Sequence, residues 1–121
     1  MLEHLRESSG VESVQYANEL IRYAASLLDR KEWSEAEVAF RESLSIRQKL
    51  QPEAWTTFNT LSMLGAVDKL QEAEPLLLEG YEGMNARRES IPGEAIMRLE
   101  HSVHRLVKLY QRLDDPQATR K

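Results

Sequence analysis

The chain has 121 residues, of which 41% are hydrophobic and 30% charged, and it carries a net charge of −4. That apolar content suits one small core and is too high for a disordered chain, while the acidic balance gives no footing for broad binding to nucleic acid or to an anionic membrane. With no cysteine there is no disulfide scaffold, thiol nucleophile or thiolate metal site.

Residues 1–10 form an N-terminal segment without an apolar run of signal-peptide length, and no stretch is apolar enough to span a bilayer, so a cytoplasmic protein is expected. The first helix is predicted from about Val11 to Arg30. Val14, Ala17, Leu20, Ile21, Ala24, Leu27 and Leu28 recur at three- and four-residue steps and make one apolar stripe. Ser9 and Glu12 have capping-box spacing at its start. The short turn Asp29-Arg30-Lys31-Glu32 requires an antiparallel hairpin. Ser34-x-x-Glu37 reads as a second capping box, and the second helix runs to about Lys49 with Ala36, Phe40, Leu44 and Ile46 inward.

Pro52 opens the next unit. A third helix from about Ala54 carries Phe58, Leu61, Leu64 and Gly65, and a fourth carries Ala73, Leu77, Tyr81 and Met84. Ser90-Ile91-Pro92-Gly93 is a turn. The last helix, about Glu94 to Leu113, is expected to bury Leu99, Val103, Leu106, Val107 and Tyr110, and Asp114-Asp115-Pro116 ends it. Period-two alternation of β-branched residues is missing, so the fold class is all-α.

The elements repeat. Leu20-x2-Tyr23-Ala24-x2-Leu27 leads to Trp33-x-Glu35-Ala36-x3-Phe40-x3-Leu44. Leu61-x2-Leu64-Gly65 leads to Leu70-x-Glu72-Ala73-x3-Leu77-x3-Tyr81, and a third pass begins at His104-x-Leu106-Val107-x2-Tyr110. A helix-hairpin pattern at this period marks an α-α superhelix, whose stacked units cover one another's apolar faces. These residues resemble the tetratricopeptide repeat over roughly residues 13–118. That family places small residues midway along its first helices (here Ala24, Gly65, Val107) and early in its second (Ala36, Ala73). Large residues flank them, here Trp33 and Leu70 before, Phe40 and Leu77 after. Ser34 to Glu37 and Gln71 to Leu77 look like the longer kinesin-light-chain-type subgroup, which also occurs behind bacterial serine/threonine kinase domains and in other bacterial signalling proteins. The resemblance implies a solenoid of about two and a half repeats, at 11–50, 52–90 and an incomplete 92–121.

The second repeat departs from the first. Gly65 and Ala73 lie about one helical turn closer than Ala24 and Ala36. Either the third helix ends near Val67 with a tight turn at Asp68-Lys69-Leu70, or the third and fourth helices fuse into one rod and the second half swaps onto another chain. In a straight rod the Phe58–Gly65 and Leu70–Met84 stripes would face opposite sides, and Pro75 would cost about 3 kcal/mol inside it. Both favour the hairpin. By the resemblance the third repeat is expected to be incomplete, which would leave the outer side of the last helix without its usual cover.

No Gly-rich phosphate loop, nucleophile elbow or metalloprotease motif occurs, Ser8-Ser9-Gly10 is a plain turn, and the acidic residues fall mostly on outward faces. The expectation is no enzyme and no cofactor. His101-x-x-His104 puts two imidazoles on one helix face, but no third ligand follows by spacing and Lys108 would repel a cation, so no metal site is assigned. Trp33, Trp55, Tyr23 and Tyr81 fit the packing pattern and are expected as core or inter-repeat filler. Gly80 falls where the family prefers a small residue; Gly83 has no reason in the sequence.

By the resemblance, the first helices of the repeats line a concave groove. Its residues would be Asn18, Ile21, Arg22 and Ala25, then Asn59, Ser62, Met63 and Ala66, then His101, His104, Arg105 and Lys108. Asn amides can grip a peptide backbone, and the last set makes a basic strip for an acidic segment or carboxylate. Ile21 and Ala25 lack the polarity of the family's chaperone-tail clamp. The expected function is therefore a protein-interaction module that binds a peptide or partner protein, without catalysis and without nucleic-acid or membrane partners. The alternative is self-association, as a swapped or end-to-end homodimer, within a larger bacterial signalling protein such as a serine/threonine kinase.

Overall fold

The computed structural model describes residues 13–67 and 70–114. They form five helices, α1 (Val14–Asp29), α2 (Trp33–Leu50), α3 (Trp55–Val67), α4 (Leu70–Ala86) and α5 (Met97–Leu113), with 3₁₀ turns at Arg88–Ser90 and Gly93–Ala95. No strand occurs among the described residues, so the chain is all-α. It divides into two compact units, Met1–Glu53 and Ala54–Lys121. The predicted cap at Ser9 and Glu12 and the stop at Asp115-Pro116 lie outside the described residues.

The first unit is the α1/α2 hairpin. Ser13 caps α1, its Oγ accepting from the Tyr16 amide at 3.0 Å. Tyr16, Ala17, Leu20, Ala24 and Leu27 are buried on α1; Ala36, Ala39, Phe40, Leu44 and Ile46 are buried on α2. Each large side chain among them contributes about 1.5–3 kcal/mol by leaving water. Polar groups close the seam. Ser43 Oγ donates to the Ala17 carbonyl at 2.9 Å, and the Tyr16 hydroxyl donates to Glu42 at 3.0 Å.

Two bonds fix the turn: Glu32 N–H donates to Leu27 O and Lys31 N–H to Leu28 O, both at 2.9 Å. This is a Schellman arrangement, and Lys31 occupies its left-handed position at φ 61°. The reversal starts α2 at Trp33, so Ser34 lies inside the first turn and the predicted capping box does not form; the N-cap is Glu32, without a side-chain bond. Trp33 is not core filler either, being 54% exposed. Helical side chains lean toward the N-terminus, and a residue at the first position has no preceding turn to pack on.

In the second unit α3 and α4 pack face to face as a hairpin, with α5 against both. The fused rod is not the arrangement of this structure: α3 ends at Val67 and α4 folds back along it. Glycines permit the approach. A Cβ on Gly80 would come within 2.7 Å of the Phe58 carbonyl oxygen and the Ser62 nitrogen, and one on Gly83 would enter the Phe58 ring. The phenyl ring lying on bare backbone is thus the reason for Gly83. Arg87 sets its guanidinium 4.3 Å from the centroid of that ring and donates to the Gly83 carbonyl at 3.0 Å. Pro75 is exposed and sits in the second turn of α4, where the amide bond it lacks would run to residue 71.

Two clusters hold α5. Leu106 and Leu109 pack with Ala73 and Leu77; Leu99 packs with Met84 and with Ile91, which the 3₁₀ turns carry inward. Ser102 is fully buried and satisfies its hydroxyl on the Leu99 carbonyl at 2.6 Å. The inward arc is therefore Leu99, Ser102, Leu106 and Leu109. Val103, Val107 and Tyr110, expected to be buried, are 42%, 47% and 41% exposed. Apolar residues cover more of α5 than its two neighbours can, and the periodicity alone does not choose which arc turns inward. The Tyr110 hydroxyl donates to Glu74 at 2.7 Å, and that bond raises the phenol above its ordinary pKa.

Helix propensity alone would have Gly80→Ala and Gly83→Ala each stabilise by about 1 kcal/mol. The contacts reverse the sign: denaturant unfolding should show each losing about 1–3 kcal/mol, with Gly80 the worse because backbone meets the new methyl. Lys31→Gly should raise stability by about 0.5–1 kcal/mol in the same assay, and an unchanged or lower midpoint would contradict the strain assigned to Lys31.

Candidate functional site

The described pocket with the most coherent chemistry lies within the second unit, where α5 crosses the end of the α3/α4 hairpin. Its volume is about 140 Å³, enough for a body about the size of benzene. Gly65, Ala73, Leu77 and Leu109 make an apolar floor, Ala66 forms part of the rim, and Arg105, Lys108 and Arg112 supply cations. Spacings of three and four residues bring those three side chains to one face of α5. The floor exists because Gly65 has no side chain: a Cβ there would lie 2.8 Å from Leu77 Cγ.

Among the described residues the pocket wall holds no carboxylate. Arg105 is half-buried, and its Nη1 donates to a neutral hydroxyl, Ser62 Oγ, at 2.9 Å. Burial, and then repulsion from Arg98, hold this guanidinium below its ordinary pKa, although an arginine stays charged at neutral pH. A positive charge taken partly out of water is a costly arrangement, and an anion would relieve it. Lys108 and Arg112 are exposed and add long-range attraction. Together with the floor, these groups suit a ligand carrying a carboxylate beside a small apolar group.

Of the residues expected in the groove, Ala66, Arg105 and Lys108 come together here. Ser62 is fully buried and serves Arg105 from behind. Asn59 is also buried, and its Oδ1 meets no donor among the described residues. Met63 is half-buried, while His101 and His104 are exposed on α5 and do not line the pocket. Among the described residues no group of three His, Cys, Asp or Glu side chains could hold a metal ion.

In the first unit Asn18 is exposed but occupied, its Oδ1 accepting from Arg47 Nη2 at 2.6 Å. Burial lowers the pKa of Arg47 as well. Ile21 is half-buried; Arg22 and Ala25 are exposed. Sequence reasoning missed Arg112 and the floor residues as parts of a site. Arg112 was legible as the next basic position, four residues beyond Lys108. The floor was not, because Gly65, Ala73 and Leu77 read as packing positions.

No protein-family model matches the chain, and no curated protein matches it by sequence. No helix among the described residues is long and apolar enough to cross a membrane.

If Arg105 is kept for a ligand rather than for the fold, removing its charge should help stability. Arg105→Met should raise the unfolding free energy by about 0.5–1 kcal/mol, as relief of a partly buried charge commonly does. A loss of stability in chemical denaturation would mean that the bond to Ser62 is a structural tie instead.

Proposed function

We propose that this chain is a tetratricopeptide-type protein-interaction module, without chemistry of its own, that holds an acidic segment of a partner protein in the α3–α4–α5 pocket. The observation that carries the reading is Arg105, a half-buried cation bonded to the neutral Ser62 hydroxyl and standing beside Lys108 and Arg112 over an apolar floor. Helix hairpins with small buried residues support the repeat assignment: Ala24 and Ala36 are buried in the first, Gly65 and Ala73 in the second. A carboxylate would pair with Arg105 in a region of reduced dielectric, where a charge-assisted bond is stronger than at an open surface. A neighbouring apolar side chain on the same segment would cover Leu77 and Leu109. Membership in a larger signalling protein remains part of the proposal through the repeat resemblance alone.

The test is isothermal titration of the chain with a short peptide alternating Glu and Leu, beside an isosteric peptide carrying Gln for Glu. Micromolar binding of the Glu peptide is expected, weakened about three- to tenfold by Lys108→Ala or Arg112→Ala and further weakened by added salt. Equal binding of the Gln peptide, or affinity indifferent to both substitutions, would remove the anionic ligand from the account.

A further inference from the structure

The opposite flank of α5 carries a second, chemically different surface. Ile96, Val103, Val107 and Tyr110 are 38%, 42%, 47% and 41% exposed. At 100° per residue they fall within about 60° of one another, forming a strip about 20 Å long. The strip runs beside α4, whose half-buried Leu78 and Tyr81 pack onto the core and whose Glu74 accepts the Tyr110 hydroxyl. Apolar surface ordered along one helix and bordered by a second helix has the form of a groove for a third.

Charge sets what fits there. Over Leu70–Ala86, α4 contains Glu72, Glu74, Glu79 and Glu82 and neither Lys nor Arg. In helical phase Glu74 and Glu82 lie within about 40° of Leu78, on the side of α4 that borders the strip, whereas Glu72 and Glu79 lie about 100° or more from both Leu78 and Tyr81. On α5 the charged residues nearest the strip in helical phase are Glu100 and Asp114, both exposed, while Lys108 and Arg112 are turned toward the pocket. Both lips of the strip are thus acidic, through Glu74 and Glu82 on α4 and through Glu100 and Asp114 on the α5 side.

We propose that this strip docks an amphipathic helix of a partner protein, one with an apolar stripe flanked by Lys or Arg. Acidic lips oppose an anionic lipid surface. They also oppose two-fold pairing with a second copy, which would bring the carboxylates of the two strips together. This surface is separate from the pocket and does not depend on the anionic ligand proposed for it.

The probe is a labelled 18-residue Leu/Lys peptide patterned as an amphipathic helix, titrated against the full chain by fluorescence anisotropy. A Leu/Glu peptide of the same pattern and a scrambled Leu/Lys peptide serve as controls. Binding to the patterned Leu/Lys peptide alone is expected, accompanied by a gain of helical circular dichroism. Val103→Ser with Val107→Ser, and separately Glu82→Gln with Glu100→Gln, should each weaken it about tenfold or more. All four positions are exposed, and unchanged circular dichroism of the free variants checks that they fold. Equal binding of the scrambled peptide would reduce the effect to charge alone and overturn the proposal. Loss of binding in neither variant would place the peptide elsewhere. A wild-type dimer in light scattering that Val103→Ser with Val107→Ser dissolves would give the strip to a second copy instead.

Discussion

The second unit depends on how closely α4 can lie against α3. Three positions set that distance: Gly65 on α3, and Gly80 and Gly83 on α4. At Gly80 backbone meets backbone, at Gly83 the Phe58 ring takes the place of a side chain, and at Gly65 the Leu77 side chain does. Glycine is a poor helix former, so its use in helix interiors has to be offset by packing gained. Here the gain extends to α5, because Ala73 and Leu77 form one cluster with Leu106 and Leu109 only when α4 sits at this depth. The pocket follows from the same geometry, since Gly65 and Leu77 are its floor.

Helix number, order and approximate extent were legible because each amphipathic run is bounded by a turn signal. Helical phase in the sequence already favours the hairpin form of α3 and α4. What failed was local. The N-cap of α2 is Glu32, two residues before the Ser34 expected, since a lysine at φ 61° does the work usually given to glycine and the sequence offers no sign of it. In α5, Val103, Val107 and Tyr110 looked as good as Leu99, Leu106 and Leu109, and Ser102 looked worse than any. A serine can be buried when its hydroxyl bonds back into its own helix, and hydrophobic periodicity does not register that. Gly83 could not be explained without knowing that Phe58 faces it.

The candidate site was legible in its charges and not in its shape. Arg105 and Lys108 stood out as a basic strip, but the sequence could not say that one of them is half-buried against Ser62 while the other remains in water. That difference matters chemically. Exposed cations attract an anion weakly and over a distance, whereas a partly desolvated one rewards a correctly placed carboxylate. The second unit also sorts its charges by helix: α4 is acidic throughout, and α5 presents cations on one flank and an apolar strip on the other. Such sorting lets one small unit offer two surfaces of opposite preference.

The central claim is that the pocket formed by α5 and the end of the α3/α4 hairpin is where an acidic segment binds. Two-dimensional amide NMR during titration with the Glu/Leu peptide tests it most directly, because it reports location rather than affinity. The expected result is a saturable shift of the amides of Gly65, Ala66 and the 105–112 stretch of α5, with the Arg105 side-chain Nε–H among the largest movers. Shifts confined to other helices, or linear drift without saturation, would contradict the account.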